Sequence, residues 1–480
     1  MSATPTTSTI PRPAPGLKSL PRLAAEYESP IADAPPSSLS TLPEIHFEHM
    51  RGGYWIQNSR GGWIQTNETT VKRLLRQNGY FSKCLDSETI SALENALLRI
   101  QMEHDIAYAG ALAGYPCGIR EFSRNRILVT SAPQIISPSG GEFPVISQFL
   151  SGLLGETQIP FLHGWLKIAF SAVRSGKYRP GQALVIAGER GCGKSLLQNL
   201  ITEILGGRSA KPYRYMSSKT DFNGDLFGAE HLMIEDEAAS TDMRSRRAFG
   251  AALKGFTVNQ VQSCHGKNRQ AISLEPIWRI SVTVNDEPEN LQILPPMEES
   301  IGDKIILLKA RKNRLPMPTG TQSERELFWG TLISELPAFL NYLEQWEIPL
   351  EFRCDRFGIN HFHHSELLES LEMLSAESRL LELIDAEIFS DSTVRLWNGT
   401  AERLERRLRE SNYREEATRL LSWNNATGTY LGRLASKHPK RFVSCRTTLR
   451  REWAIYPPQR DKLPAEAENL PSGCHASMTP

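Results

Sequence analysis

The stretch that decides the fold is Ala183-Leu-Val-Ile-Ala187-Gly188-Glu-Arg-Gly191-Cys-Gly193-Lys194-Ser195, followed by Leu196-Leu-Gln-Asn-Leu200-Ile201. Ala183 to Ala187 is a short continuous apolar run, which suits a strand buried on both faces of a parallel sheet. Gly188 to Ser195 then matches G-x-x-x-x-G-K-S/T in full, and a helix opens directly after it. The order has a physical reason. Glycines let backbone N–H groups curl around phosphate oxygens, and the helix N-terminus adds its dipole. Gly188, Gly191, Gly193, Lys194 and Ser195 are therefore candidate ATP-binding residues. Lys194 reaches the β- and γ-phosphates, and the Ser195 hydroxyl binds Mg²⁺. Arg190 and Cys192 stand at variable positions and receive no role.

A phosphate cradle alone does not hydrolyse ATP. About forty residues on, His231-Leu-Met-Ile-Glu235-Asp236-Glu237 reads as an apolar strand ending in acids. Asp236 is the candidate for Mg²⁺ and its bound water, and Glu237 for polarising the attacking water. Glu235 leaves open a register shifted by one. A third apolar run, Ile280-Ser-Val-Thr-Val284, ends in Asn285. At the tip of a strand beside the loop strand, Asn285 is placed to orient water or sense the γ-phosphate; the alternative is a turn-forming Asn before Asp286. Three such runs separated by helical stretches predict an α/β fold, a P-loop NTPase with helices flanking a parallel sheet.

Working outward, residues 1–44 hold eight prolines before Ser40 with many Ser and Thr, and read as a disordered arm. Residues 45–147 are expected to form a small N-terminal α/β domain. Tyr54-Trp-Ile and Trp63-Ile flank Asn58-Ser-Arg-Gly-Gly62 as strand, turn and strand. Arg51-Gly-Gly and Arg60-Gly-Gly are read as turn glycines rather than an RNA-binding repeat. Helices are expected from Glu68 and over Ser87–His104. The ATPase core spans 148–345 and ends in a helix over Glu324–Trp346. A helical C-terminal domain, 346–456, has helices at Glu366–Ile388, Thr400–Glu410 and Gly428–Lys437. Strands at Phe442–Ser444 and Trp453–Tyr456 make it winged-helix-like. Residues 457–480 read as a disordered tail. His361, His363 and His364 cluster without Cys or acidic ligands at suitable spacing, so no metal site is expected there.

The set of motifs resembles the superfamily-three helicases of viruses, phages and plasmids, most of all the helicase portion of phage primase–polymerase proteins. The matching stretches are Pro180 through Ser195, Thr220-Asp-Phe-Asn223 with Gly228 through Glu237, and Trp278 through Asn290. The resemblance covers roughly 148–345. It implies an AAA+-like core, a ring that is often a hexamer, and ATP-driven translocation on single-stranded DNA. It also implies that the basic stretch before the Asn strand forms a pore loop gripping DNA. Here that role falls to Lys267 first and His265 second, with Lys254 a third candidate. The family's arginine finger has no obvious counterpart: Lys304 stands at the expected position, and Arg311 and Arg314 lie just beyond. With no paired-Asp motif evident before the core, no primase activity is expected, and a separate primase or polymerase is a possible partner.

The whole chain of 480 residues carries a net charge of +1, yet residues 391–460 hold 15 Lys and Arg against seven Asp and Glu. Near-neutrality is a cancellation and does not argue against DNA. Seven scattered cysteines without a C-x-x-C fit reduced thiols in the cytoplasm. No apolar run approaches the ~20 residues of a membrane span, and the N-terminus lacks a secretory apolar segment. The leading expectation is an ATP-dependent DNA helicase motor of phage or plasmid replication type. The alternatives are a P-loop ATPase that remodels or loads proteins without unwinding, and a nucleotide-gated DNA-binding regulator.

Overall fold

The computed structural model describes residues 42–84, 89–122, 125–235, 243–267, 269–295, 297, 299–373, 375–391, 393–446 and 450–458. Its first elements are β1 (Ile45–Glu48), β2 (Gly53–Gln57), β3 (Trp63–Thr66), α1 (Glu68–Gln77), α2 (Ala92–Glu103) and β4 (Asp105–Ile106). The strands form one sheet in the order β3-β2-β1-β4. The β2–β3 turn is closed by Asn58, whose Oδ1 accepts the N–H groups of Arg60 and Gly62 at 2.9 Å each. Gly61 sits there at φ +79°, a left-handed conformation that explains the glycine. Helix α2 begins at Ala92, later than the expected Ser87, because Ser91 and Glu94 cap it reciprocally.

A second small sheet, ordered β5-β7-β6, consists of β5 (Tyr108–Gly110), β6 (Gly118–Phe122) and β7 (Asn125–Val129). Tyr108, Leu112, Ile127 and Val129 are buried in the same core as the strands of the main sheet. Buried Glu230 holds this junction by accepting the Gly114 N–H at 2.7 Å and pairing with Arg208.

The central unit runs through α3 (Pro144–Leu154), α4 (Ile159–Ser175), β8 (Ala183–Gly188), α5 (Lys194–Ile204), β9 (Ser209–Ala210), α6 (Tyr213–Met216), β10 (His231–Glu235) and α7 (Met243–Val258). It continues through β11 (Gln262–Cys264), β12 (Ile272–Leu274), β13 (Arg279–Val284), α8 (Pro288–Leu291), α9 (Glu299–Gly302), β14 (Ile305–Ala310) and α10 (Gln322–Gln345). The main sheet has the order β14-β8-β13-β10-β9, and every pair is parallel. Alternation along β8 splits its side chains between two cores. Leu184 and Ile186 pack with α3, α4, α5 and α10, while Ala183, Val185 and Ala187 pack on the opposite face. The strand β14 was not expected from the sequence. It is fully apolar over Ile305–Leu308 and completes the far side of β8.

The last unit comprises α11 (Ser365–Met373), α12 (Ala376–Ile388), β15 (Trp397–Gly399), α13 (Ala401–Glu410), α14 (Arg414–Leu420), α15 (Ala426–Lys437), β16 (Phe442–Arg446) and β17 (Arg451–Ile455). The expected single helix over Glu366–Ile388 is two, because Ser375 caps a new start by accepting from the Ser378 N–H. Thr400 caps α13 in the same way, as the sequence indicated. The strands form an antiparallel sheet ordered β15-β17-β16, and this unit has its own core around Leu380, Leu404, Leu431 and Trp453.

Candidate phosphate-binding site

The loop between β8 and α5 reverses the chain on two left-handed glycines, Gly191 at φ +75° and Gly193 at φ +111°. A side chain there is strained. Gly188 is required for a different reason. A Cβ on it would stand 2.3 Å from the Ala310 carbonyl oxygen of β14, with which it is paired. Lys194 opens α5 and is only 6% exposed. Its ammonium donates to the carbonyls of Gly188 at 2.7 Å and Glu189 at 2.9 Å, and to Asn285 Oδ1 at 3.0 Å. An ammonium has three donors, so the loop and Asn285 together satisfy it. Ser195 follows on an exposed position of the first helical turn. Burial pushes the Cys192 thiol upward, away from the thiolate form.

The Lys194–Asn285 contact spans 91 residues of sequence and follows from register. Val284 pairs with Ala187, so β13 and β8 end level with one another. Glu235, the last residue of β10, pairs with Thr283 and ends at the same edge. Its carboxylate is 2.8 Å from the ammonium of Lys211. Asp236 and Glu237 lie outside the described residues.

Beneath the loop the structure holds a polar lattice that sequence reading missed. Gln198 of α5 donates to the Ile234 carbonyl at 3.2 Å and to Ser281 Oγ at 2.8 Å, and its Oε1 accepts from Thr283 at 3.0 Å. His231 bonds Thr202 and Ser281, each at 2.7 Å, and its complete burial pushes its pKa down to about 3. The imidazole is neutral, and these bonds satisfy groups that would otherwise be costly to bury. The lattice ties the loop helix to β10 and β13. Polar residues inside apolar strands were its only sequence signal.

The remaining candidates are dispersed. His265 and Lys267 lie on the loop that joins β11 to β12, and the His265 ring is 5.1 Å from Phe222. The His265 N–H donates to Asn223 Oδ1 at 2.7 Å. Lys254 is not with them; it stands on α7 and donates to Ser300 Oγ at 2.6 Å. Lys304 precedes β14, at the sheet edge opposite Lys194, with about 20 Å of strand between the edges. Only 8% exposed, it pairs with Asp303 at 2.6 Å. Arg311 and Arg314 are exposed just past β14, on the edge that carries the glycine loop.

One of the solved structures compared shares this architecture. A family model described as a family of unknown function, DUF5906, matches residues 186–298. No curated protein matches the sequence. The apo structure of the NrS-1 C terminal region has a TM-score of 0.51 at 12% identity, covering 88% of this chain and 97% of that one. The active helicase SCCmec type IV Cch has a TM-score of 0.31 at 12% identity, covering 82% of this chain and 73% of that one. A JCV helicase with a bound small molecule has a TM-score of 0.24 at 13% identity, covering 52% and 72%. The first likeness shows the class of fold, a mixed α/β chain built on a parallel sheet and shared with the NrS-1 C terminal region. No helix among the described residues is long and apolar enough to cross a membrane.

Proposed function

We propose that the chain is a P-loop ATPase with an AAA+-like core, and that it works as a DNA helicase motor of phage or plasmid replication type. The observation that carries this reading is the 3.0 Å bond from Lys194 to Asn285. It joins the phosphate loop to the tip of the neighbouring strand, where a γ-phosphate sensor must stand. The glycine loop accepts the phosphates, and Lys194 exchanges its three protein acceptors for β- and γ-phosphate oxygens. Ser195 and Asp236 would hold the metal, which supplies charge neutralisation across the β- and γ-oxygens. Glu237 takes the proton of the attacking water, and Asn285 orients that water. Lys267 and His265 contact single-stranded DNA. Arg311 and Arg314, exposed at the loop edge, are the finger candidates toward a neighbouring subunit of a ring; buried Lys304 is the weaker one. Such a motor works in the cytoplasm beside a separate primase or polymerase.

The test is ATP turnover with and without single-stranded DNA, run beside strand displacement on forked DNA and sizing with and without ATP. The reading expects DNA-stimulated turnover, displacement, and a larger assembly with ATP. Turnover indifferent to DNA, with Lys267→Ala leaving DNA binding intact, would instead favour a protein-remodelling ATPase. Duplex binding without displacement would favour a nucleotide-gated regulator.

A further inference from the structure

Lys254 was expected to share one DNA grip with Lys267, but α7 carries it to a different place. It lines a cleft of about 550 Å³ between the central unit and the C-terminal unit. One wall is α7. Arg246, Gly250 and Lys254 follow one another at helical spacing of four, so two cations flank a position without a side chain. They stand roughly 12 Å apart along the helix. The Arg246 Nε is shut off from solvent and has no hydrogen-bond partner. Burial holds its guanidinium below the usual range, and no acid among the described residues offsets this. Lys254 bonds only a hydroxyl among the described groups, so it too is a cation without a paired carboxylate.

The facing wall is aromatic. Trp423 is 39% exposed, and its Nε1 donates to the Tyr430 hydroxyl at 3.3 Å, with the rings edge to face at 5.9 Å. This bond fixes the indole, which stays partly exposed at the cleft. The other charges at the cleft are already neutralised. Arg433 pairs with buried Glu377 at 2.6 Å, and Arg379 pairs with Glu382 and Glu416. The cleft therefore offers two cations with no paired carboxylate among the described residues, opposite one orientated indole.

We propose that this cleft holds a nucleobase–phosphate unit of single-stranded DNA, with phosphates on Arg246 and Lys254 and a base stacked on Trp423. Cations that track a backbone beside an aromatic platform are how single strands are held without sequence choice. The inference rests on the DNA partner proposed above, and adds a contact surface separate from the β11–β12 loop. Because α7 follows the acidic strand directly in sequence, a strand held here would couple the C-terminal unit to the ATPase edge.

The test is fluorescence anisotropy of labelled oligothymidylate on the full chain without ATP, as a function of salt. Arg246→Ala combined with Lys254→Ala should weaken binding about tenfold and lower the salt slope by about 1.4, at ~0.7 per phosphate contact. Trp423→Ala should also weaken it about tenfold, and Trp423→Phe should restore most of that. Unchanged affinity and slope in these variants, with melting temperatures like the parent's, would overturn the proposal. Displacement of the oligonucleotide by equimolar thymidine monophosphate would overturn it in favour of a free nucleotide. Lys267→Ala is measured alongside: if it alone has no effect, the loop contact fails while the cleft stands. Should the cleft variants not fold, photo-crosslinking of a 5-iodouracil strand to the unaltered chain decides, and a map without Trp423 or Tyr430 refutes the site.

Discussion

Replacing Asn285 by Ala separates two roles that its position combines. In the nucleotide-free chain, Asn285 Oδ1 is one of three acceptors for a Lys194 ammonium that is only 6% exposed. Losing a hydrogen bond to a charged group costs about 2 kcal/mol. In a cooperative unit of about 200 residues, the size of the central unit, that lowers the melting temperature by about 4–8 °C. With a nucleotide bound, phosphate oxygens take over the ammonium, so the missing acceptor no longer matters. The same 2 kcal/mol then reappears as tighter nucleotide binding, by up to about 30-fold. Turnover moves the other way. Without the amide at the strand tip the attacking water loses an orienting partner, and the rate falls by about a hundredfold. Thermal melting with and without nucleotide, together with phosphate release, reads all three quantities. Unchanged melting and unchanged turnover would refute the reasoning outright. Abolished nucleotide binding would make Asn285 a binding residue rather than a sensor.

Glu237→Gln should bind ATP normally and hydrolyse it at least about a hundredfold more slowly, the scale of a lost general base. Normal phosphate release from that variant would move the base to Asp236 or Glu235. Acid sensitivity is expected from His163, whose ring meets Phe339, Tyr342 and Trp346 and whose burial pushes its pKa from 6.5 to about 4. Above pH 6.5 it is neutral in both folded and unfolded chains. As the pH falls toward 4 only the unfolded chain takes the proton, so stability is lost at roughly 1.4 kcal/mol per pH unit. His163→Phe should flatten the melting-temperature profile between those values, and an unaltered profile would show that the ring titrates normally.

Much of the centre of the molecule was legible in the chain. The strand runs at Ala183, Leu232 and Ile280, the glycine loop and the helix after it are local features, because each depends on neighbours a few residues away. The Thr400 cap and the β2–β3 turn were readable for the same reason. Helix boundaries were less so. The Ser375 break inside Glu366–Ile388 competes with a continuous apolar periodicity, and only packing resolves that competition. The strand at Ile305–Ala310 is not legible in the chain because its first residues equally fit a finger segment. A lysine beside an apolar run does not reveal which of the two matters.

What the sequence determined by itself is the chemistry available: a glycine cradle, one lysine, a serine, acids after one strand and an asparagine after another. What only the tertiary structure decided is which of these meet. Parallel register brings Asn285 to Lys194 across 91 residues and leaves Lys304 at the far edge. It also buries His231 and Gln198 under the loop as a lattice, and separates Lys254 from Lys267. The physical reason is that a parallel sheet aligns strand ends by hydrogen-bond pairing between distant segments. No local pattern encodes that alignment, so composition and spacing can name the groups but not their distances.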